Sequence, residues 1–218
     1  MYFKTTQEHE KLRADIREWA EREIKPYAFM LDQNNQFPKE QIKDFGKRGY
    51  LGLPYPKEYG GMGKDILSYA IGVEELSRVD CEAGVILSAD VSSGAYPICA
   101  EGTEEQKQRY LVALAEGEKL GAFGLTEPGA GTDAQGQQTK AVLDGDEWVL
   151  NGSKCFITNG KEADIYIVIA VTGIIEKRGR KMKEISSFLV EKGTPGFTFG
   201  TKEKKMGLRG SSTSEMIF

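Results

Sequence analysis

Thr139-Lys140-Ala141-Val142-Leu143-Asp144-Gly145-Asp146-Glu147-Trp148-Val149-Leu150-Asn151-Gly152-Ser153-Lys154-Cys155-Phe156-Ile157-Thr158-Asn159-Gly160 is a run of short segments cut by three turn dipeptides. Asp144-Gly145, Asn151-Gly152 and Asn159-Gly160 supply the positive φ that tight hairpins require. The intervening segments 139–143, 147–150 and 154–158 read as strands. Downstream, 165–171 is a wholly apolar strand and 187–190 another, and Ser214-Glu215-Met216-Ile217-Phe218 ends inside a strand-like run. The second half of the chain therefore reads as antiparallel β, a small barrel or sandwich.

Upstream of residue 119 the period is helical. Leu12, Ile16, Trp19/Ala20 and Ile24 fall on one helix face, with a stop near Pro26. A second helix follows Pro38, carries Ile42 and Phe45 and ends at Gly49. A loop rich in glycine and proline occupies 52–63. Helical stretches cover 67–78 and 82–99. Thr103-Glu104-Glu105-Gln106 is a capping box that opens a helix through Leu111 and Leu114 to about residue 116. Five helices suggest an all-α domain. The division expected is 1–118 helical and 119–218 β.

Composition narrows the function classes. The 218 residues carry 29 Lys plus Arg against 33 Asp plus Glu, a net charge of −4 without the basic surplus that phosphate backbones demand. At 39% hydrophobic and 28% charged, the chain is globular rather than disordered. No apolar run approaches the roughly 20 residues that span a bilayer. Met1-Tyr2-Phe3-Lys4-Thr5 leads straight into a charged helical pattern, with no signal or transit segment expected. His9 is the one histidine, so a multi-histidine metal site within the chain is excluded. It reads as the solvated start of a helix. Cys81, Cys99 and Cys155 form no CxxC and read as reduced thiols, two of them core filler. Chemistry, if any, falls to a bound cofactor.

Gly129-Ala130-Gly131-Thr132-Asp133-Ala134 matches GxGxxA, but Pro128 stands where a strand should end and Gly136 interrupts the helix that should follow, so a Rossmann unit is disfavoured. Asn151-Gly152-Ser153 reads as a turn rather than a glycosylation site. The basic cluster Lys177-Arg178-Gly179-Arg180-Lys181-Met182-Lys183 is a solvated loop or, alternatively, a contact for phosphate groups. Phe123 to Asp133 combines an aromatic, two threonine hydroxyls and three glycines at the domain junction, where bare backbone lets a flat or anionic ligand approach. Phe156 and Thr158 share a strand face. Each segment alone reads equally as scaffold; together they favour a site for a flat heteroaromatic ligand.

These two segments resemble the acyl-CoA dehydrogenase family. Leu125-Thr126-Glu127-Pro128-x-Ala130-Gly131-Thr132-Asp133 and Asn151-Gly152-Ser153-Lys154-x-Phe156-Ile157-Thr158-Asn159 look like its two flavin-contact signatures. Tyr59-Gly60-Gly61, Val73-Glu74-Glu75-Leu76-Ser77-Arg78, Gly102-Thr103-Glu104-Glu105-Gln106-Lys107 and Met206-Gly207-Leu208-Arg209-Gly210-Ser211-Ser212-Thr213 fit in the family's order. Val85-Ile86-Leu87-Ser88-Ala89 and Arg209 to Thr213 are most like its short-chain, butyryl-type members.

The resemblance implies an α+β protein: an N-terminal all-α domain, an antiparallel β-barrel middle domain, and FAD bound between them. It implies cofactor contacts from Phe123, Leu125, Thr126, Gly131, Thr132, Phe156, Ile157 and Thr158. Phe156 lies against a ring face where many relatives place tryptophan, and Thr158 bonds near the flavin N5 that accepts hydride. Thr132, Met182 and Lys183 match positions that approach acyl-CoA. The implied reaction is α,β-dehydrogenation of a short-chain acyl-CoA thioester, with electron-transferring flavoprotein as acceptor, a homotetramer when full length, and a prokaryotic cytoplasmic location. The family's base is a glutamate on a C-terminal helical bundle, expected to be absent here. No catalytic residue is therefore assigned in this chain, which alone is expected to be inactive. A non-catalytic module binding acyl-CoA or a partner is the alternative.

Overall fold

The structure is a computed structural model that describes residues 4–177 and 179–218. Helices α1 (Gln7–Glu23), α2 (Lys25–Gln33), α3 (Lys39–Lys47), α4 (Ile66–Val79) and α5 (Cys81–Ala89) come first. A π-helical turn (Asp90–Ala95) carries α5 into α6 (Tyr96–Glu101), and a second one (Lys107–Leu111) joins α7 (Glu104–Gln106) to α8 (Val112–Ala115). The face expected for α1 is the one buried: Leu12, Ile16, Trp19, Ala20 and Ile24 all join the main core. The Thr103 capping box closes reciprocally, Gln106 N–H to the threonine hydroxyl at 3.2 Å and Thr103 N–H to the glutamine carbonyl oxygen at 2.9 Å.

The stop expected near Pro26 is met, α1 ending at Glu23, but Pro26 also sits in the first turn of α2, a helix not expected from the sequence, where its missing N–H has no partner to lose. One helical expectation needs correction. His9 is only 8% exposed rather than solvated. It occupies the third position of α1, its Nδ1 accepts from Thr6 N–H at 3.1 Å, and its Nε2 lies 3.0 Å from Asp65 at the start of α4. Glu75 is likewise buried on α4, facing Arg13 and Arg17 of α1 at 2.7 Å each.

The β half comprises β1 (Gly121–Gly124), β2 (Lys140–Asp144), β3 (Glu147–Asn151), β4 (Ser153–Thr158), β5 (Ile165–Lys177), β6 (Arg180–Glu191), β7 (Thr198–Lys202) and β8 (Thr213–Ile217). They form two sheets, not one closed antiparallel barrel. In the first, β6 runs antiparallel along one edge of β5, while β1 and then β2 pair parallel with the other, and β3 follows β2. The second is β4-β8-β7, all antiparallel. Parallel pairing arises because β1 arrives directly from the helices and runs beside β5. Of the three turn dipeptides only Asp144-Gly145 closes a hairpin, with Gly145 at φ 65°. Asn151-Gly152 is the corner where the chain leaves one sheet for the other, and Asn159-Gly160 turns towards β5.

The strand alternation of β5 serves two cores. Ile165 and Ile167 face the helices, whereas Tyr166 and Val168 pack with Ile157, Val190, Phe197 and Met216 between the sheets. The helical and β parts meet without a spacer at Gly94 and Gly121: a Cβ on Gly94 falls 2.8 Å from the Gly121 Cα. Beside that contact the fully buried Asp90 carboxyl accepts the Gly121 N–H at 2.6 Å, and its second oxygen has no partner among the described residues. Burial pushes the Asp90 carboxyl up to about 8.

Candidate functional site

β1 delivers Phe123, Leu125 and Thr126 to the junction. Phe123 pairs with Ile167 in the parallel ladder and leans on the main core. Past the strand, Glu127 and Ala130 exchange backbone hydrogen bonds at 3.1 and 3.0 Å, folding Pro128-Gly129 into a tight turn. A Cβ placed on Gly129 or Gly131 meets nothing within 4 Å. Packing inside the protein therefore makes no demand for glycine there, and the bare backbone faces outward. Gly131 and Thr132 are both exposed.

The second segment lies directly alongside. Cys155 N–H donates to the Thr126 carbonyl at 2.8 Å. The β4–β8 register slips between Lys154 and Ile157, so Cys155-Phe156 is a bulge. Phe156 adopts φ 60° and is 63% exposed. A left-handed phenylalanine costs on the order of 1–2 kcal/mol, and its ring recovers nothing by burial. Such a bulge re-aims a side chain; here it turns an aromatic ring out beside Thr126. Thr158 follows, half-buried and paired with Thr213. Ile157 does not join this face; it is 2% exposed and belongs to the inter-sheet core, so only its backbone borders the site.

Beneath the face lies a cluster that sequence reading leaves unassigned. Lys154 is 0% exposed, and its ammonium donates to the Leu125 carbonyl at 3.0 Å, Glu127 Oε1 at 2.7 Å and Gln137 Oε1 at 2.9 Å. Glu127 also accepts the N–H groups of Gln138 and Thr139 at 2.6 and 2.9 Å. Burial raises the Glu127 carboxyl, but the hydrogen bonds from Lys154 and these backbone groups outweigh it and hold it at about 2. For Lys154 burial dominates and lowers the ammonium despite Glu127. A lysine inside a strand reads by default as exposed, and three residues from Ile157 strict alternation would place it on the opposite face; only the bulge puts it inside.

Thr132 begins the loop whose far end, Gln137 and Gln138, lines a cleft of about 480 Å³ against Val171, Ile174 and Lys183 of the β5–β6 hairpin. The Lys183 ammonium is engaged by the Gly136 and Gln137 carbonyls at 3.1 and 2.6 Å, so it fastens the loop to the hairpin. Met182 is exposed one residue away, opposite Ile175. Of the basic cluster, Arg180 and Lys181 are exposed near the turn, while Arg178 lies outside the described residues. Among the described residues no group of three His, Cys, Asp or Glu is placed to hold a metal, and no helix is long and apolar enough to cross a membrane.

The fold is an α+β one, with helices against a mixed sheet, and beside it an exposed arene, two threonines and an open glycine turn lie on neighbouring segments. Residues 6–118 match the N-terminal domain of acyl-CoA dehydrogenase and residues 122–218 its middle domain. The chain belongs to the acyl-CoA dehydrogenase family. It is 54% identical over 218 residues to the short-chain specific acyl-CoA dehydrogenase of Clostridium acetobutylicum, covering 100% of this chain and 56% of that protein. Among solved structures, it superposes on butyryl-CoA dehydrogenase from Megasphaera elsdenii with TM-score 0.92 and 45% identity, covering 100% of this chain and 57% of that one. An acyl-CoA dehydrogenase from Bacillus anthracis complexed with FAD gives TM-score 0.87 at 38% identity, covering 98% of this chain and 35% of that one. The chain thus spans about half the length of the curated relatives it matches.

Proposed function

We propose that this chain forms the flavin- and acyl-CoA-binding part of an FAD-dependent enzyme that dehydrogenates short-chain acyl-CoA thioesters between the α and β carbons. The observation that carries the reading is the side-by-side fixation of the two segments by the Cys155-to-Thr126 hydrogen bond, which puts an outward arene next to a threonine with open glycines beyond it. An isoalloxazine suits this pair of segments, which offers an exposed arene and two threonine hydroxyls. Phe156 offers the stacking surface, Thr126 and Thr158 the polar edge, and Phe123 and Leu125 the apolar border. Gly131 and Thr132 offer unblocked backbone to the anionic remainder of the cofactor. When bound, FAD supplies the acceptor for the hydride lost from the β carbon.

The remaining roles follow from what these residues can hold. The cleft between the Thr132 loop and the β5–β6 hairpin suits the CoA portion; Lys183 lines it and fastens the loop, and the exposed Met182 on the same strand is a further candidate contact. Glu127 is committed to Lys154 and to two backbone N–H groups, and a carboxylate held at about 2 is too weak a base to take an α-proton. The family resemblance assigns the abstracting carboxylate to a glutamate outside these residues, and the 218-residue chain alone is expected to bind FAD weakly and not to turn over. The division into 1–118 and 119–218 rests on the change of period near residue 119; electron-transferring flavoprotein as acceptor, tetramer formation by the longer enzyme and a prokaryotic cytoplasmic location rest on the family resemblance.

Titrating FAD into the purified chain while following flavin fluorescence tests the reading. Saturable quenching that is lost in T126V/T158V supports it. Unquenched FAD, or quenching unaffected by that pair, favours a module that keeps the fold for another partner. Turnover of butyryl-CoA with a dye acceptor at about 10 per second, an ordinary enzyme rate, would overturn the assignment of the base.

A further inference from the structure

The buried lysine beneath the platform has no role in the chemistry just described, yet its partners belong to the segments that form the face. We propose that Lys154 is a positioning residue: it sets the direction of the Leu125–Thr126 peptide so that the Thr126 N–H is presented to the flat ligand. This rests on the flavin reading above.

A lysine ammonium has three donors and no acceptor. All three are used, on Leu125, Glu127 and Gln137, each from a different position around the turn. Glu127 and Gln137 are themselves buried at 7% and 1% exposure. The carboxylate satisfies the charge. The bond to the Leu125 carbonyl is not needed for that purpose, and it has a geometric effect on the next residue. Across a trans peptide the C=O and the following N–H point in opposite directions. With the Leu125 oxygen drawn inward to Lys154, the Thr126 N–H is turned outward, where it finds no backbone acceptor among the described residues. The Thr126 carbonyl is meanwhile held by Cys155. Both flanking peptides are therefore fixed, and one donor remains on the segment whose neighbour carries the outward Phe156.

Two readings of Lys154 give different expectations. A purely structural lysine compensates Glu127, and removing both charges together should restore whatever is lost when one is removed. A positioning lysine holds a carbonyl that no substitution at Glu127 can replace. The test compares K154M, K154M/E127Q and K154R by urea unfolding and by FAD fluorescence titration, with visible circular dichroism of the bound flavin. K154M should lower the unfolding midpoint and weaken FAD binding. K154M/E127Q should recover the midpoint while its Kd stays at least tenfold above wild type, the equivalent of about 1.4 kcal/mol and of one hydrogen bond. Its bound-flavin dichroism should also differ from wild type. K154R keeps charge and donors and should bind FAD several times more tightly than K154M.

A Kd in K154M/E127Q within twofold of wild type would reduce Lys154 to a compensating charge and overturn the inference. Equal affinities for K154R and K154M would do the same, and that comparison survives even if the double variant does not fold. Wild-type chain that fails to quench FAD defeats the flavin reading itself, and the inference with it.

Discussion

Asp90 → Asn should make the stability of the chain less dependent on pH. The Asp90 carboxyl is wholly enclosed at the contact between the π-helical turn and β1, with one oxygen on Gly121 N–H and the other without a partner among the described residues. Its folded value of about 8 lies above the ordinary 3.8, so between those limits the native state holds a proton that the unfolded state has released. Stability from this group is complete below the unfolded value and declines as pH rises towards the folded one. The slope is about 1.4 kcal/mol per pH unit, or on the order of 4 kcal/mol between about pH 5 and pH 8. That is a large share of the 5–15 kcal/mol typical of a domain. Asparagine keeps an oxygen for Gly121 and cannot ionise, so its fixed cost is the same at every pH. Urea unfolding followed through Trp19 and Trp148 fluorescence measures the difference. Wild type should lose ground steadily against D90N as pH rises. A difference that stays constant to within about 0.5 kcal/mol, a typical measurement margin, would show that Asp90 is ionised in the fold and has a partner.

Three further outcomes are expected. Glu82 accepts Gly210 N–H at 2.7 Å, and burial with Asp32 and Asp80 nearby raises it to about 7; E82Q should therefore gain on wild type as pH rises from the ordinary carboxylate range to about 7, read by thermal melts across that window. Gly94→Ala forces a Cβ to within 2.8 Å of the Gly121 backbone, where nothing flexible can yield. A loss of about 1–3 kcal/mol is expected, and a melting temperature unchanged from wild type would contradict the close approach. Phe156→Gly removes the penalty of the left-handed bulge, so the unfolding midpoint should rise by the equivalent of about 1 kcal/mol while FAD affinity falls; a fall in both would mean that the ring is structural.

Much of the fold was legible because local signals were unopposed. The α1 face, the Thr103 capping box and the apolar run of β5 each follow from period or side-chain chemistry alone. Pro26 marks the end of α1 but hides the start of α2, because a proline ends one helix and opens the next with equal ease, and only the packing of Leu31 shows the second. Gly121-Ala122-Phe123-Gly124 carries no β-branched residue; it is a strand because β5 offers it an edge. The Asn151-Gly152 turn has the right dipeptide for a hairpin, but the destination of a corner is a tertiary property. At the site, hydroxyls, arene and glycines could be read as types. The lysine below them could not, because its burial depends on a glutamate 27 residues away that sequence spacing does not reveal.

β5 has a consequence for the order in which the molecule is made. Ile165 and Ile167 complete the core around Trp19, Leu53 and Leu114, yet they are translated some fifty residues after the last helix. On the ribosome the helical segment emerges first but remains an unfinished shell, awaiting a strand still in the exit tunnel. The helical half precedes the sheet in synthesis, and its closure comes only once the sheet has followed.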